Sequence, residues 1–337
     1  MPYVTSATTE GYMTALLRSA FSLALIFCGS LYAQAESYPS RQVELIVAYP
    51  AGGAADLIAR SMAQRLSQLW NIPVVVENRG GGATQVAANA VAQSPADGYK
   101  LLVTGMETFA INPFLYPTLS YDPINSFVPV SSFGYSNQML MVPAASSFKN
   151  VGGVLAEARK ENAALQYGTI GPGGSSHINM VLLENLAGVH LTPVHYHGGA
   201  PLLNDLLGNH VPMGFLSTAL VDQHIKSGLL RAIGVSSKAR IPEFPDLPTI
   251  AESGVPGYES VSWFGLWAPQ GTPADVVQKI NTDVQNIFAD PAYKQKFLTP
   301  MFINVTPGNP QEFAAYIKGE ADKWGKVIKE AHLQINN

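Results

Sequence analysis

Serine and histidine stand close together in Gly173-Gly-Ser-Ser-His177, where Ser175 as nucleophile and His177 as base would make an acyl-transfer site. The spacing works against that chemistry. A nucleophile elbow needs a closing glycine two residues after its serine, and this chain has His177 there. His190, His195 and His197 form a second cluster. Residues two apart on a strand share a face, so His195 and His197 could reach one metal ion. The His-x4-His-x-His spacing matches no zinc pattern, and no cysteine or obvious carboxylate stands beside it. An exported hydrolase or metal-dependent enzyme using Ser175 and His177, or the histidine strand, is the alternative reading of these residues.

Two glycine-rich turns offer a different chemistry, the holding of an anion. Residues 43–49 have the composition of a buried strand, Pro50 ends it, and Gly52 and Gly53 let a backbone approach a ligand without Cβ atoms in the way. A helix follows at once, with Ile58, Met62, Leu66 and Leu69 spaced to pack one face on a sheet. Its N-terminal amides and positive dipole end suit an anion. No lysine or arginine lies in the turn, so backbone would do the gripping; the same glycines would also serve a plain strand-to-helix connection. Asp56 is favoured by the dipole and can pair with Arg60 one turn on, which makes it a helix stabiliser as readily as a ligand contact. The second turn, Thr169 to His177, follows a strand at 165–168 and precedes helical spacing at Ile178, Val181, Leu182 and Leu186, with Ser175 or Ser176 as the expected N-cap. It lacks the third glycine of a dinucleotide fingerprint, and no Walker sequence occurs, so no cofactor is expected.

The elements that must position these turns follow a β-α-β-α rhythm. Strands are expected at 73–77 and 100–104, a helix at 83–93, and a loop at 105–113 on a strand's C-terminal end, where open α/β sheets bind ligands. Tyr49 and Met106 fall at strand ends. A strand at 127–132 leads to a second lobe with strands at 138–142, 190–196, 211–216 and 229–235 and helices at 151–161, 201–207 and 220–227. A proline-rich return then leads to a strand at 263–268 that rejoins the first sheet, and helices are expected at 273–288, 291–297 and 310–331. The 337 residues, 47% hydrophobic, suffice for two lobes. Charged residues make up 13%, the net charge is -4 and no basic run occurs, so nucleic acid is not an expected partner. Arg18, the apolar run at 21–27 and Ala33-Gln-Ala35 read as a secretory signal over residues 1–35. Its removal takes away Cys28, the one cysteine, which leaves no disulfide and suits the bacterial periplasm.

In order along the chain, Pro50-Ala-Gly-Gly-Ala-Ala-Asp56 with Arg60, Val74-Val-Val-Glu-Asn-Arg79, Asp97-Gly-Tyr-Lys-Leu101, Gly171-Pro-Gly-Gly-Ser-Ser-His177, Leu247-Pro-Thr-Ile-Ala-Glu-Ser-Gly-Val-Pro-Gly-Tyr258 and Trp263-Phe-Gly-Leu266 resemble the solute-binding receptors of tripartite tricarboxylate transporters, the Bug family. The resemblance implies a type II periplasmic-binding-protein fold, with two α/β lobes and a ligand cleft between them. Lobe 1 would be residues 36–137 plus 260–337, and lobe 2 residues 138–259. It also implies capture of a small carboxylate for membrane transporter subunits, by a chain expected to be a monomer and no enzyme. By motif, Gly52, Gly53 and Ala54 in one lobe and Gly173, Gly174, Ser175 and Ser176 in the other would grip the carboxylate, with Asp56 at the family's acidic position. Tyr49, Met106, His177 and His197 complete the expected ligand-binding set. The chain departs from the pattern where His195-Tyr-His-Gly198 replaces Pro-Tyr-Lys-Gly. The missing lysine favours one or two carboxylates on a compact or aromatic body over a tricarboxylate.

Overall fold

A run of valine, leucine and isoleucine forms β1 (Val43–Val47), buried along nearly its whole length as a strand covered on both faces must be. The computed structural model describes residues 38–161, 164–306 and 308–335. The expected signal segment, its cleavage point and Cys28 lie outside the described residues, and residues 38–40 carry no helix or strand. α1 (Ala54–Trp70) lays Ile58, Met62 and Leu66 against the sheet. Leu69, expected on the same face, is 56% exposed. Trp70 turns inward instead, donating from Nε1 to Asp283 at 2.6 Å. β2 (Val74–Asn78) follows, and then a tight 3-10 turn at Gly82–Thr84, with Ala83 and Thr84 at positive φ, delays α2 to Gln85–Ala92.

β3 (Lys100–Gly105) leads into the clearest departure from expectation. Residues 105–113 are not a loop: Glu107–Ile111 make a π-helical turn that continues into α3 (Asn112–Leu115). Phe109, Ala110 and Ile111 are buried there, and the Phe109 ring stacks on Trp267 at 4.5 Å. Burial of these side chains overrides the breaker signals of Gly105 and Pro113. β4 (Phe127–Ser136) runs four residues past its expected end.

Asn137 alone separates β4 from β5 (Gln138–Pro143), the first strand of a second sheet. α4 (Val151–Ala158), β6 (Gln166–Thr169), α5 (Ser175–Ala187), β7 (Thr192–His195), α6 (Gly199–Leu207), β8 (Gly214–Ser217), α7 (Thr218–Lys226) and β9 (Leu230–Val235) complete it. Strand β7 is shorter than the expected 190–196, so His190 precedes it and His197 follows it. The chain returns through 236–261 and enters β10 (Ser262–Pro269). α8 (Ala274–Ala289), short turns from Pro291, β11 (Ile303–Asn304) and α9 (Pro310–Glu330) finish the described chain.

Two mixed sheets result. One has the order β11-β4-β10-β3-β1-β2, with β10 antiparallel to both β3 and β4, as a rejoining strand requires. The other has the order β7-β6-β8-β5-β9, with β6 parallel to β7 and β8, and β5 antiparallel to β8 and β9. This is a two-lobed α/β fold. Each glycine turn leaves the C-terminal end of a parallel strand, β1 in one sheet and β6 in the other.

Candidate functional site

The first turn is open. Gly52 and Gly53 are exposed, Gly52 sits at φ +86, and a Cβ built at Gly53 would meet only Pro50 O at 3.8 Å. Gly53 is the N-cap of α1 and brings no side-chain capping bond, so the helix itself does not satisfy its first amides. Ala54, half-buried, is the first helical residue. Asp56 shapes this turn from behind. It is 2% exposed, accepts from the Gly52 N–H at 2.9 Å and from Asn78 Nδ2 at 2.9 Å, and pairs with Arg60 at 3.0 Å. Burial pushes its carboxyl up, but the bonds from Arg60, Gly52 and Asn78 outweigh burial and hold it below the ordinary carboxylate range. Asn78 also ties the turn to β1 by donating to Tyr49 O at 3.1 Å.

The second turn is closed on itself. Gly173 N–H donates to His177 Nδ1 at 3.0 Å, Gly174 N–H to Gly171 O at 3.2 Å, and Gly171 N–H to Thr169 Oγ1 at 3.0 Å. Neither serine caps α5 as expected. The N-cap is Gly174, the Ser176 hydroxyl accepts from Ile170 N–H at 2.8 Å, and the Ser175 hydroxyl accepts from Gln138 Nε2 at 2.7 Å. Gly173 is at φ +71, and a Cβ there would stand 2.3 Å from Leu115 Cδ2. Gly173, Ser175 and Ser176 are all buried, and Gly174 is half-buried.

Between the turns stands a residue that the sequence did not single out. Glu107, in the π-helical turn after β3, accepts a 2.6 Å hydrogen bond from the Tyr49 hydroxyl, and the Ser175 backbone N–H at the start of α5 also stabilises its carboxylate. The absence of a side chain at Gly105 makes room for this pair, since a Cβ there would fall 2.9 Å from the Tyr49 hydroxyl. Burial pushes the Glu107 carboxyl up and prevails over the bonds from Tyr49, its own backbone and Ser175. Burial and the neighbouring carboxylate likewise push the Tyr49 phenol well up. An acid inside the apolar stretch that ends β3 was the available signal. Gln138 was also missed: its amide nitrogen bridges Ser175 and Ser262, and its oxygen accepts from Asn179 Nδ2 at 3.1 Å.

The other expected residues scatter. Met106 is 1% exposed and packs in the core. His177 is 4% exposed, and burial together with the nearby His195 pushes its imidazole down to about 4, so it stays neutral and accepts from Gly173. The His195 ring crosses His177 edge-on at 5.2 Å, while His190 and His197 are exposed. Among the described residues no group of three His, Cys, Asp or Glu side chains could hold a metal ion. Two open amide positions on one helix, a turn with its glycine amides spent on the other and a half-buried acid nearby suit holding a ligand better than transforming it.

Residues 58–333 match the tripartite tricarboxylate transporter family receptor, TctC. A UPF0065 protein from the tcbD-tcbE intergenic region of Pseudomonas sp. (strain P51) is 35% identical over 304 residues, covering 89% of each chain. Among solved structures, the R. palustris protein Rpa4515 with adipate is 34% identical with a TM-score of 0.81, covering 88% of this chain and all of that one. The periplasmic binding protein BugD is 33% identical with a TM-score of 0.78, over 88% of this chain and all of BugD.

Proposed function

The chain belongs to the tripartite tricarboxylate transporter receptor family, whose Bug-type members are periplasmic binding proteins and not enzymes, and from that premise we propose that it captures a small organic carboxylate in the periplasm. The ligand carries one or two carboxylates on a compact or aromatic body, and the receptor delivers it as a monomer to the membrane subunits of a tripartite tricarboxylate-type transporter. Lobe 1, residues 36–137 plus 260–337, and lobe 2, residues 138–259, close on it.

The observation that carries this reading is the exposed Gly52–Gly53 turn, with the uncapped N-terminus of α1 behind it. Backbone N–H groups of Gly53 and Ala54 meet the ligand carboxylate there, helped by the helix dipole. Asp56 keeps the turn in shape, Tyr49 borders it, and the second turn with His177 supplies a stiff wall. His197, exposed beyond β7, stands where the family pattern has a cation. That a related structure holds adipate supports the carboxylate class. A thermal-shift screen of the purified protein against small mono-, di- and tricarboxylates tests it. A ligand at 100 times its Kd should add about 2.7 kcal/mol of apparent stability, and no shift with any carboxylate would sink the reading.

A further inference from the structure

Glu107 accepts a 2.6 Å hydrogen bond from Tyr49, which follows β1, and the Ser175 N–H at the head of α5 favours its ionised form. The backbone amides that lead into α5 are otherwise used internally. Gly171, Gly173 and Gly174 spend their N–H groups on Thr169, His177 and Gly171, and Ile170 spends its own on Ser176. A ligand carboxylate arriving at α5 would therefore find these four amides spent, with only the Ser175 and Ser176 hydroxyls left to donate, and the Glu107 carboxyl already in place. The first turn is the reverse case, with exposed glycines and no capping side chain.

From this asymmetry we propose that Glu107 is a specificity-determining residue: the ligand is held by one carboxylate at the Gly52–Gly53 turn, and its other end presents a hydrogen-bond donor, foremost an ammonium, to Glu107. This rests on the carboxylate-receptor reading and narrows it. Two carboxylates brought together beside the half-buried Glu107 repel, because the protein displaces part of the water that would screen them. An ammonium in the same place gains a charge-assisted hydrogen bond. Glu107 thus acts on specificity chiefly by penalising the wrong ligand. The raised Glu107 carboxyl agrees with an acid that lacks a cationic partner until the ligand brings one.

The test is calorimetric titration at neutral pH with 5-aminopentanoate and glutarate, which share a carbon-chain length, and with the corresponding six-carbon pair. Wild-type protein should bind the amino acid of each pair at least about tenfold tighter than the diacid. In Glu107→Gln, which keeps the shape and removes the charge, the diacid should gain about tenfold and the amino acid should lose about as much. The wild-type comparison stands even if the variant folds poorly. A wild-type preference for the diacids, or an order unchanged by Glu107→Gln, would overturn the inference while leaving a carboxylate receptor intact. Binding of no carboxylate by either protein would overturn both.

Discussion

Gln138, the first residue of β5, donates from Nε2 to the hydroxyl of Ser175 at 2.7 Å and so fastens the crossing between the two sheets to the first turn of α5. The same nitrogen reaches Ser262 at 2.8 Å, at the start of the returning strand β10. Its oxygen accepts from Asn179, whose own oxygen accepts from Ser260. All five residues are buried, and such a network is costly to break because each orphaned group loses its water without gaining a partner.

Replacing Gln138 by alanine should therefore cost about 2–4 kcal/mol, since at least two buried polar groups lose their partners at about 1–3 kcal/mol each. Urea unfolding measures it. A loss under about 0.5 kcal/mol would mean that water replaces the amide and that the crossing is held by something else.

The two turns should answer substitution in opposite ways. Gly53→Val adds atoms to open space, so Tm should change by no more than about 2 °C while ligand affinity falls about a hundredfold, the loss of two charge-assisted hydrogen bonds. Gly173→Val forces a branched side chain into positive φ and into Leu115, so the protein itself should be destabilised. Gly174→Val, with a Cβ 3.0 Å from Ile170 Cγ1, falls between them and does not separate binding from folding. Full affinity in a well-folded Gly53→Val would place the carboxylate elsewhere.

Acid should weaken the fold through His177. Its imidazole sits at about 4 in the folded protein against about 6.5 when unfolded, so between those values the unfolded chain binds the extra proton. The stability it contributes is present in full above about pH 6.5 and is lost as pH falls towards 4, about 3 kcal/mol in all. Urea midpoints at pH 7.5, 5.5 and 4.0 should show the decline. In His177→Asn, which can still accept from Gly173, the decline should be shallower by that amount. Parallel profiles would show that His177 is not the group responsible.

Export can be checked directly. Protein recovered from the periplasm of an expressing bacterium should begin at Glu36, after Ala33-Gln-Ala35, and N-terminal sequencing that reads an intact leader would refute the signal assignment.

The parts legible in the sequence were those whose causes are local. Gly52-Gly53 and the helix after it, the β10 strand Ser262–Pro269 and the long α9 are each announced by turn residues, apolar spacing or proline at a helix start. The stretch 105–113 was misread because its glycine and proline are local signals of a loop, whereas the burial of Phe109 against Trp267 comes from a strand far along the chain. The serines at the head of α5 looked like caps for the same reason. Their hydroxyls are taken by Gln138 and Ile170, and nothing in the spacing of Ser175 and Ser176 records that. Glu107 escaped notice because its partner Tyr49 lies 58 positions away, so only the fold makes the pair visible.

Strand β10 occupies the middle of the six-stranded sheet, between β3 and β4, yet its residues follow every strand of the other sheet in the sequence. That topology predicts an order of assembly. The five-stranded sheet is drawn from one unbroken stretch and can be completed from neighbours alone, while β3 and β4 must wait with open edges for a strand that arrives late. The returning segment 236–261 is what brings that strand home, so lesions there should show themselves first as slow folding and self-association, before any change in the finished protein.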